Sequence, residues 1–331
     1  MTEADLDVMC IGNAIVDVLA HCEDETILGL GLNRGTMTLI GAERAQQLYN
    51  AMGAVTEMSG GSASNTAAGI ASLGGQAGFV GKVRDDKLGE IFVHDIRTTG
   101  VVFETPPATS GPATARCHIF ITSDAQRTMN TYLGACVNLR PEDIDPDFVS
   151  RAKITYMEGY LWDRDQAKQA FLKAAEVAHN AGRKVSLTLS DPFCVDRHRM
   201  SFIDFIRGYV DILFSNEEEI ISLYQVEDFN AALRYVRHDC EVAVLTRNDK
   251  GSVIVASGEK HVINAEPVAE VVDTTGAGDL YAAGFLYGIT NGHGLVECGR
   301  IASVAAAEVI SHVGPRPQKD LNELVRTKLG I

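Results

Sequence analysis

The chain has 331 residues, with 29 Lys and Arg against 44 Asp and Glu, a formal net charge of −15. A nucleic-acid binder gains most of its affinity by neutralising phosphates with Lys and Arg, and a peripheral membrane protein relies on basic segments beside anionic lipid, so this balance excludes both partners. Hydrophobic residues make up 46% and charged residues 22%, a globular composition whose length suits one large domain or a main domain with an appendage.

In chain order, MTEADLDV at the N-terminus lacks a basic region followed by an apolar run, so no secretory leader is expected. Val8 to Ile11 is a short apolar run ending at Gly12-Asn13, as a buried strand followed by a loop would. A charge-free stretch from Met58 to Gly81 is long enough to span a bilayer, but its seven glycines and its polar side chains would be costly in hydrocarbon. Further strands are expected at Ala77 to Val83, Ile154 to Met157, Val185 to Leu189, Asp211 to Phe214 and Val242 to Thr246. Helical stretches lie between them. In Arg164 to Ala181, Phe171, Leu172, Ala175 and Ala178 share a face and Gly182 supplies the stop.

Strands separated by helices imply an α/β fold, a mostly parallel sheet with helices on both faces. The stretches 16–38 and 101–133 break this alternation with β-like segments such as Cys117 to Thr122 and no intervening helix. They are expected to form a small, discontinuous β lid, over an α/β core made of 1–15, 39–100 and 134–331. The last 55 residues read as helices with Gly314-Pro315-Arg316-Pro317 as a rigid break. Seven cysteines at positions 10, 22, 117, 136, 194, 240 and 298 form no CxxC pair or zinc-type cluster, which reads as reduced thiols of a cytoplasmic protein.

Two motifs carry chemistry. In Asp273-Thr274-Thr275-Gly276-Ala277-Gly278-Asp279, β-prone Val271-Val272 leads into a small-residue turn and then an apolar helix. Gly276, Ala277 and Gly278 then sit at a helix N-terminus, where unpaired N–H groups and the dipole favour an anion. Asp279 in the first turn is stabilised by that dipole by roughly 0.3–1 kcal/mol, and a plain helix-start aspartate would look the same. Phosphoryl transfer, however, needs a carboxylate to deprotonate a hydroxyl beside N–H groups that hold the developing charge. In Ser59-Gly60-Gly61-Ser62-Ala63-Ser64-Asn65, paired glycines clear space for a ligand and Ser64 or Asn65 starts a helix that Gly74-Gly75 ends. A capped helix packed on a strand would have the same sequence. Gly81-Lys82 is not a P-loop end, because Gln76 and Val83 stand where Gly and Ser or Thr are required.

Together the two motifs, roughly 200 positions apart, resemble the paired signatures of the ribokinase-like (PfkB) carbohydrate and nucleoside kinases. The resemblance extends from Gly12-Asn13-Ala14-Ile15-Val16-Asp17 through Asn216-Glu217-Glu218-Glu219, similar to the NxxE element associated with Mg²⁺ and phosphate. SLTLSDPF at 186–193, YVDILFSNEEE at 209–219 and Arg127-Thr128-Met129 resemble the adenosine-kinase branch.

The resemblance implies that Asn13, Asp17, Gly60, Gly61 and Asn65 hold ribose hydroxyls, and that Asp279 activates the 5′-hydroxyl of a nucleoside, converting adenosine to AMP. Gly276 to Gly278 form the anion hole and Arg127 meets the transferred phosphate. Asn216, Glu219 and Thr246 serve Mg·ATP, Glu219 acting on the metal indirectly. Met129 and Phe193 are base contacts, although apolar residues there are more often plain core. A monovalent cation such as K⁺ at the 271–275 carbonyls is also implied. Departures from animal adenosine kinases at Gly35 to Thr38 and Glu158 to Leu161 leave a sugar kinase for ribose or fructose as the alternative. A non-catalytic nucleoside sensor and a dehydrogenase are more distant, since base and anion hole are intact and GxGxxG is missing. Either a monomer or a homodimer suits the lid.

Overall fold

The computed structural model describes residues 4–124 and 126–331. Residues 1–3, in the N-terminal stretch read for a leader and in the expected core, and residue 125, in the expected lid, lie outside the described residues. The strands are β1 Leu6–Ile11, β2 Ile15–His21, β3 Met37–Leu39, β4 Thr56–Gly60, β5 Ala77–Val80, β6 Val102–Phe103 and β7 Ala115–Ile121. They continue as β8 Arg127–Tyr132, β9 Ala152–Glu158, β10 Lys184–Thr188, β11 Ile212–Asn216, β12 Val242–Thr246, β13 Ser252–Ala256 and β14 Glu259–Ile263.

Nine strands form one sheet in the order β14-β13-β12-β11-β10-β9-β1-β5-β6. From β6 to β12 every pairing is parallel, and β13 and β14 add an antiparallel edge. The hairpin between them turns at Ser257 and Gly258, both at positive φ, as a two-residue turn between twisted strands requires. Covered on both faces, the central strands are apolar throughout. In β1, Val8 and Cys10 join one buried cluster and Met9 and Ile11 the other.

The remaining strands form a five-stranded sheet, β3-β8-β7-β2-β4. Its membership differs from the sequence expectation in two places. β4, expected in the core, pairs with β2 as a sheet edge, whereas β6, expected in the lid, extends the large sheet beside β5. The helix Asp24–Gly29 also interrupts the stretch read as helix-free. Its Ile27 packs with Leu48 and Phe120, so the outer face of the small sheet is buried under helices. Alternation along β2, β7 and β8 places Asp17, Cys117, Ile119, Arg127 and Met129 together on the opposite face, toward the large sheet.

The helices that carry the two glycine motifs, Ser62–Ser72 and Ala277–Thr290, lie against each other. At Gly69 a Cβ would stand 2.6 Å from the Leu280 side chain and 2.7 Å from that of Ala283, so close packing depends on the missing side chain. Among the described residues, no helix is long and apolar enough to cross a membrane.

Candidate active site

The C-terminal ends of β1, β9, β11 and β12 deliver Asn13, Glu158, Asn216 and Thr246 to one side of the large sheet, where open α/β sheets place their ligands. Gly61 precedes the first motif helix with φ +96°, and a Cβ there would lie 2.1 Å from the Asn13 carbonyl oxygen, so only glycine fits. The helix starts at Ser62, two to three residues before the expected Ser64 or Asn65. That shift gives Ser62 and Asn65 a new task. Ser62 Oγ donates to Asp279 Oδ1 at 2.6 Å, and Asn65 Nδ2 donates to Asp279 Oδ2 at 3.0 Å, across 217 and 214 positions of sequence. Burial raises the Asp279 pKa, and the bonds from Ser62 and Asn65 and the charge of Arg316 oppose the rise.

Gly276 caps the second motif helix at φ +81°, and a Cβ there would strike Pro315, 2.7 Å from its carbonyl oxygen. Of the expected anion hole, the Ala277 N–H is already bonded to the Thr274 carbonyl at 3.2 Å. The N–H groups of Gly278 and Asp279 occupy the first turn, where a helix supplies no acceptor, and nothing lies within 4 Å of where a Gly278 Cβ would be. Unpaired donors at a helix start beside a glycine that leaves room for a ligand suit an anion.

Asp17 lies directly over Gly60, whose missing Cβ would stand 2.5 Å from its carboxylate. Burial pushes the Asp17 pKa up to about 6 against the pull of Arg127 and Arg316, with Asp279 adding to the rise. Asn13 donates through Nδ2 to Glu158 Oε1 at 2.6 Å, and Ala63 N–H donates to Glu158 Oε2 at 2.8 Å. Buried Glu158 has its pKa raised to about 7 by desolvation. Asn13 Oδ1 is buried with no hydrogen-bond partner, an acceptor left for a ligand hydroxyl.

Three sequence expectations look different in the fold. Arg127, expected to meet phosphate, pairs through Nη1 at 2.8 Å with Asp273, both side chains less than 10% exposed. Its Nε and Nη2 are buried without partners. Asn216 and Glu219 form a reciprocal cap: Asn216 Oδ1 accepts from the Glu219 N–H, and both Asn216 N–H groups donate to the Glu219 carboxylate. Glu219 is nonetheless raised to about 7 by burial, with Asp191 and Glu218 contributing, and no Lys or Arg among the described residues pairs with it. Phe193, expected against a base, is 76% exposed at the start of the helix Pro192–Tyr209. Met129 is half-buried on the inner face of the small sheet with Ile15, Leu19 and Val313. Thr246 lies beside Asn216 in the β11–β12 register.

The sequence reading missed Glu158 and Arg316 as site residues. Glu158 directly follows the strand run Ile154 to Met157 and opens the stretch that departs from animal adenosine kinases, and Arg316 stands between two prolines.

Residues 7–321 match the model of the pfkB family carbohydrate kinases. The chain belongs to that family. Its members transfer a phosphoryl group to a hydroxyl, and this pfkB chain is accordingly a phosphotransferase acting on a sugar or nucleoside, with ATP as cosubstrate. It is similar to the crystal structure of adenosine kinase from Sinorhizobium meliloti, with 52% identity, TM-score 0.89, and coverage of 98% of this chain and 99% of that one. It is also similar to a probable sugar kinase protein from Rhizobium etli, with 51% identity, TM-score 0.90 and 99% of each chain covered. The 5-dehydro-2-deoxygluconokinase of Geobacillus thermodenitrificans is 29% identical over 77% of this chain and 79% of its own length.

Proposed function

We propose that this pfkB kinase phosphorylates the 5′-hydroxyl of a nucleoside, adenosine foremost. The observation that carries the reading is the pairing of two surfaces around one carboxylate. Asp279, held by Ser62 and Asn65, stands at the open helix N-terminus, while Ile15, Leu19 and Met129 present an apolar face beside Asp17. A sugar needs hydroxyl partners, whereas a nucleoside also needs an apolar surface for its base. The similarity to an adenosine kinase supports the same substrate.

Asp279 takes the hydroxyl proton, Asn13 and Asp17 hold the ribose, and the Gly278 and Asp279 N–H groups face the phosphoryl charge. The small sheet acts as a lid whose closure excludes water. Bound Mg²⁺ would neutralise phosphate charge, and Glu219, a buried carboxylate that no Lys or Arg among the described residues pairs with, would act on it indirectly. K⁺ at the 271–275 carbonyls belongs to the same proposal. Asn13 and Glu158, a wholly polar pair, favour a sugar as the second reading, as do the sugar-kinase relatives.

Turnover of adenosine, inosine, guanosine, ribose and fructose with Mg·ATP separates the two. Adenosine should have the highest kcat/KM, and a preference for ribose or fructose overturns the nucleoside reading. Asp279→Asn should lose roughly 10²–10⁴ in kcat while nucleoside binding persists.

A further inference from the structure

We infer that Arg316 is the positioning residue of this site: its guanidinium fixes the Asn65 amide, and through it the Asp279 carboxylate, and brings a positive charge to the carboxylates around it. The inference rests on Asp279 being the base, as proposed above.

The segment 314–317 ties the two glycine motifs together. The Gly314 N–H donates to Asp273 Oδ2 at 3.0 Å, and Pro315 packs where a Gly276 Cβ would be. Arg316 then crosses to the first motif. Its Nε donates to Asn65 Oδ1 at 2.9 Å, and one Nη donates to Ser59 O at 2.8 Å, Ser59 Oγ at 3.0 Å and Ser64 Oγ at 3.2 Å.

A guanidinium only donates, so it holds Asn65 Oδ1 and leaves Nδ2 as the group that faces Asp279. With Arg316 gone, Asn65 Oδ1 loses its donor and only the single bond from Nδ2 to Asp279 holds the amide in place. Charge adds a second effect. Asp17, Glu158, Tyr156 and Tyr160 all couple electrostatically to Asp279, and Asp95 couples to Arg316. Among the described residues, the cations that couple to Asp17 and Asp279 are Arg127 and Arg316, and Arg127 is paired through Nη1 with Asp273. Burial raises the pKa of both carboxylates; Arg127 and then Arg316 oppose the rise at Asp17, and Arg316 is the cation that opposes it at Asp279.

The test uses full-length Arg316→Gln and Arg316→Lys, with pH profiles of kcat and kcat/KM on the acceptor that wild type turns over best. Arg316→Gln should lose roughly 100-fold in kcat through misplacement of the base. Its acid limb should move up by about one pH unit, since a neighbouring cation is lost. Arg316→Lys keeps the charge without the fork, so its limb should stay while kcat falls. A kcat for Arg316→Gln within about threefold of wild type overturns the inference, and so does a lower kcat with an unmoved limb, which marks a merely structural role. Should Arg316→Gln fail to fold, Arg316→Lys decides, because full kcat in that variant refutes the fixing of Asn65. A neutron structure of Arg316→Lys or Arg316→Gln, which tells the Asn65 amide oxygen from its nitrogen, separates this inference from the assignment of the base. Unchanged Asn65 and Asp279 side chains in that structure overturn the role of Arg316, whereas wild-type turnover by Asp279→Asn overturns the base alone.

Discussion

Glu158 makes the stability of this protein depend on pH in a direction opposite to that of an ordinary salt-bridged carboxylate. Its side chain is 1% exposed and accepts from Asn13 Nδ2 and the Ala63 N–H, with the Asn13 N–H more distant at 3.3 Å. These bonds do not offset the loss of water, and the pKa stands at about 7 against 4.5 for the free side chain. A folded-state value above the unfolded one means that the native protein binds the proton more tightly. The contribution is therefore fully present below the unfolded value and is lost as pH rises through about 7. Between about pH 5 and pH 8 the loss amounts to roughly 2–3 kcal/mol at about 1.4 kcal/mol per unit.

Glu158→Gln removes this ionisation. The Gln amide can also be accommodated, because turning the Asn13 amide would bring its unpartnered Oδ1 to the new donor. Urea unfolding of both proteins without nucleotide, across that pH range, reads the difference. The variant should gain roughly 2–3 kcal/mol on wild type between the two ends, since other titrations are common to both. A difference that stays flat within about 0.5 kcal/mol would refute the reasoning. The turned Asn13 should also raise KM for the acceptor, with kcat reduced less.

Gly61→Ala should cost about 2–3 kcal/mol or more, because φ +96° is strained for alanine and its Cβ would meet the Asn13 carbonyl. Thermal unfolding checks this, and a Tm unchanged from wild type would count against the described backbone. Phe193→Ala should alter stability by no more than about 0.5 kcal/mol, given its exposure. If the lid brings a base onto this ring, KM for adenosine should rise severalfold while KM for ribose stays put. Equal effects on both acceptors would remove Phe193 from the base pocket.

Elements with a local physical cause were legible in the sequence. The apolar runs at Val8 to Ile11 and Val242 to Thr246 lie within strands because a sheet covered on both faces demands continuous apolar residues. Gly182 and Gly74, both at positive φ, stop helices where the chain must reverse. The second motif put Asp279 in the first turn of a helix, as the small-residue turn before it implies. The hairpin of β13 and β14 follows a parallel series and was not anticipated, although Ser257-Gly258 fits its turn.

The sequence by itself determined the family, the two glycine turns and the carboxylate at the second helix start, because each depends on neighbours within a few residues. Only the tertiary structure decided what those residues touch. Helix contact at Gly69 brings Ser62 and Asn65 to Asp279, strand register sets Asp17 over Gly60, and the 314–317 turn carries Arg316 back to Asn65. The same geometry pairs Arg127 with Asp273 and leaves Phe193 exposed. The Ser62–Asp279 and Asn65–Arg316 contacts join positions more than 200 residues apart, and their strength comes from the burial that only the assembled layers provide.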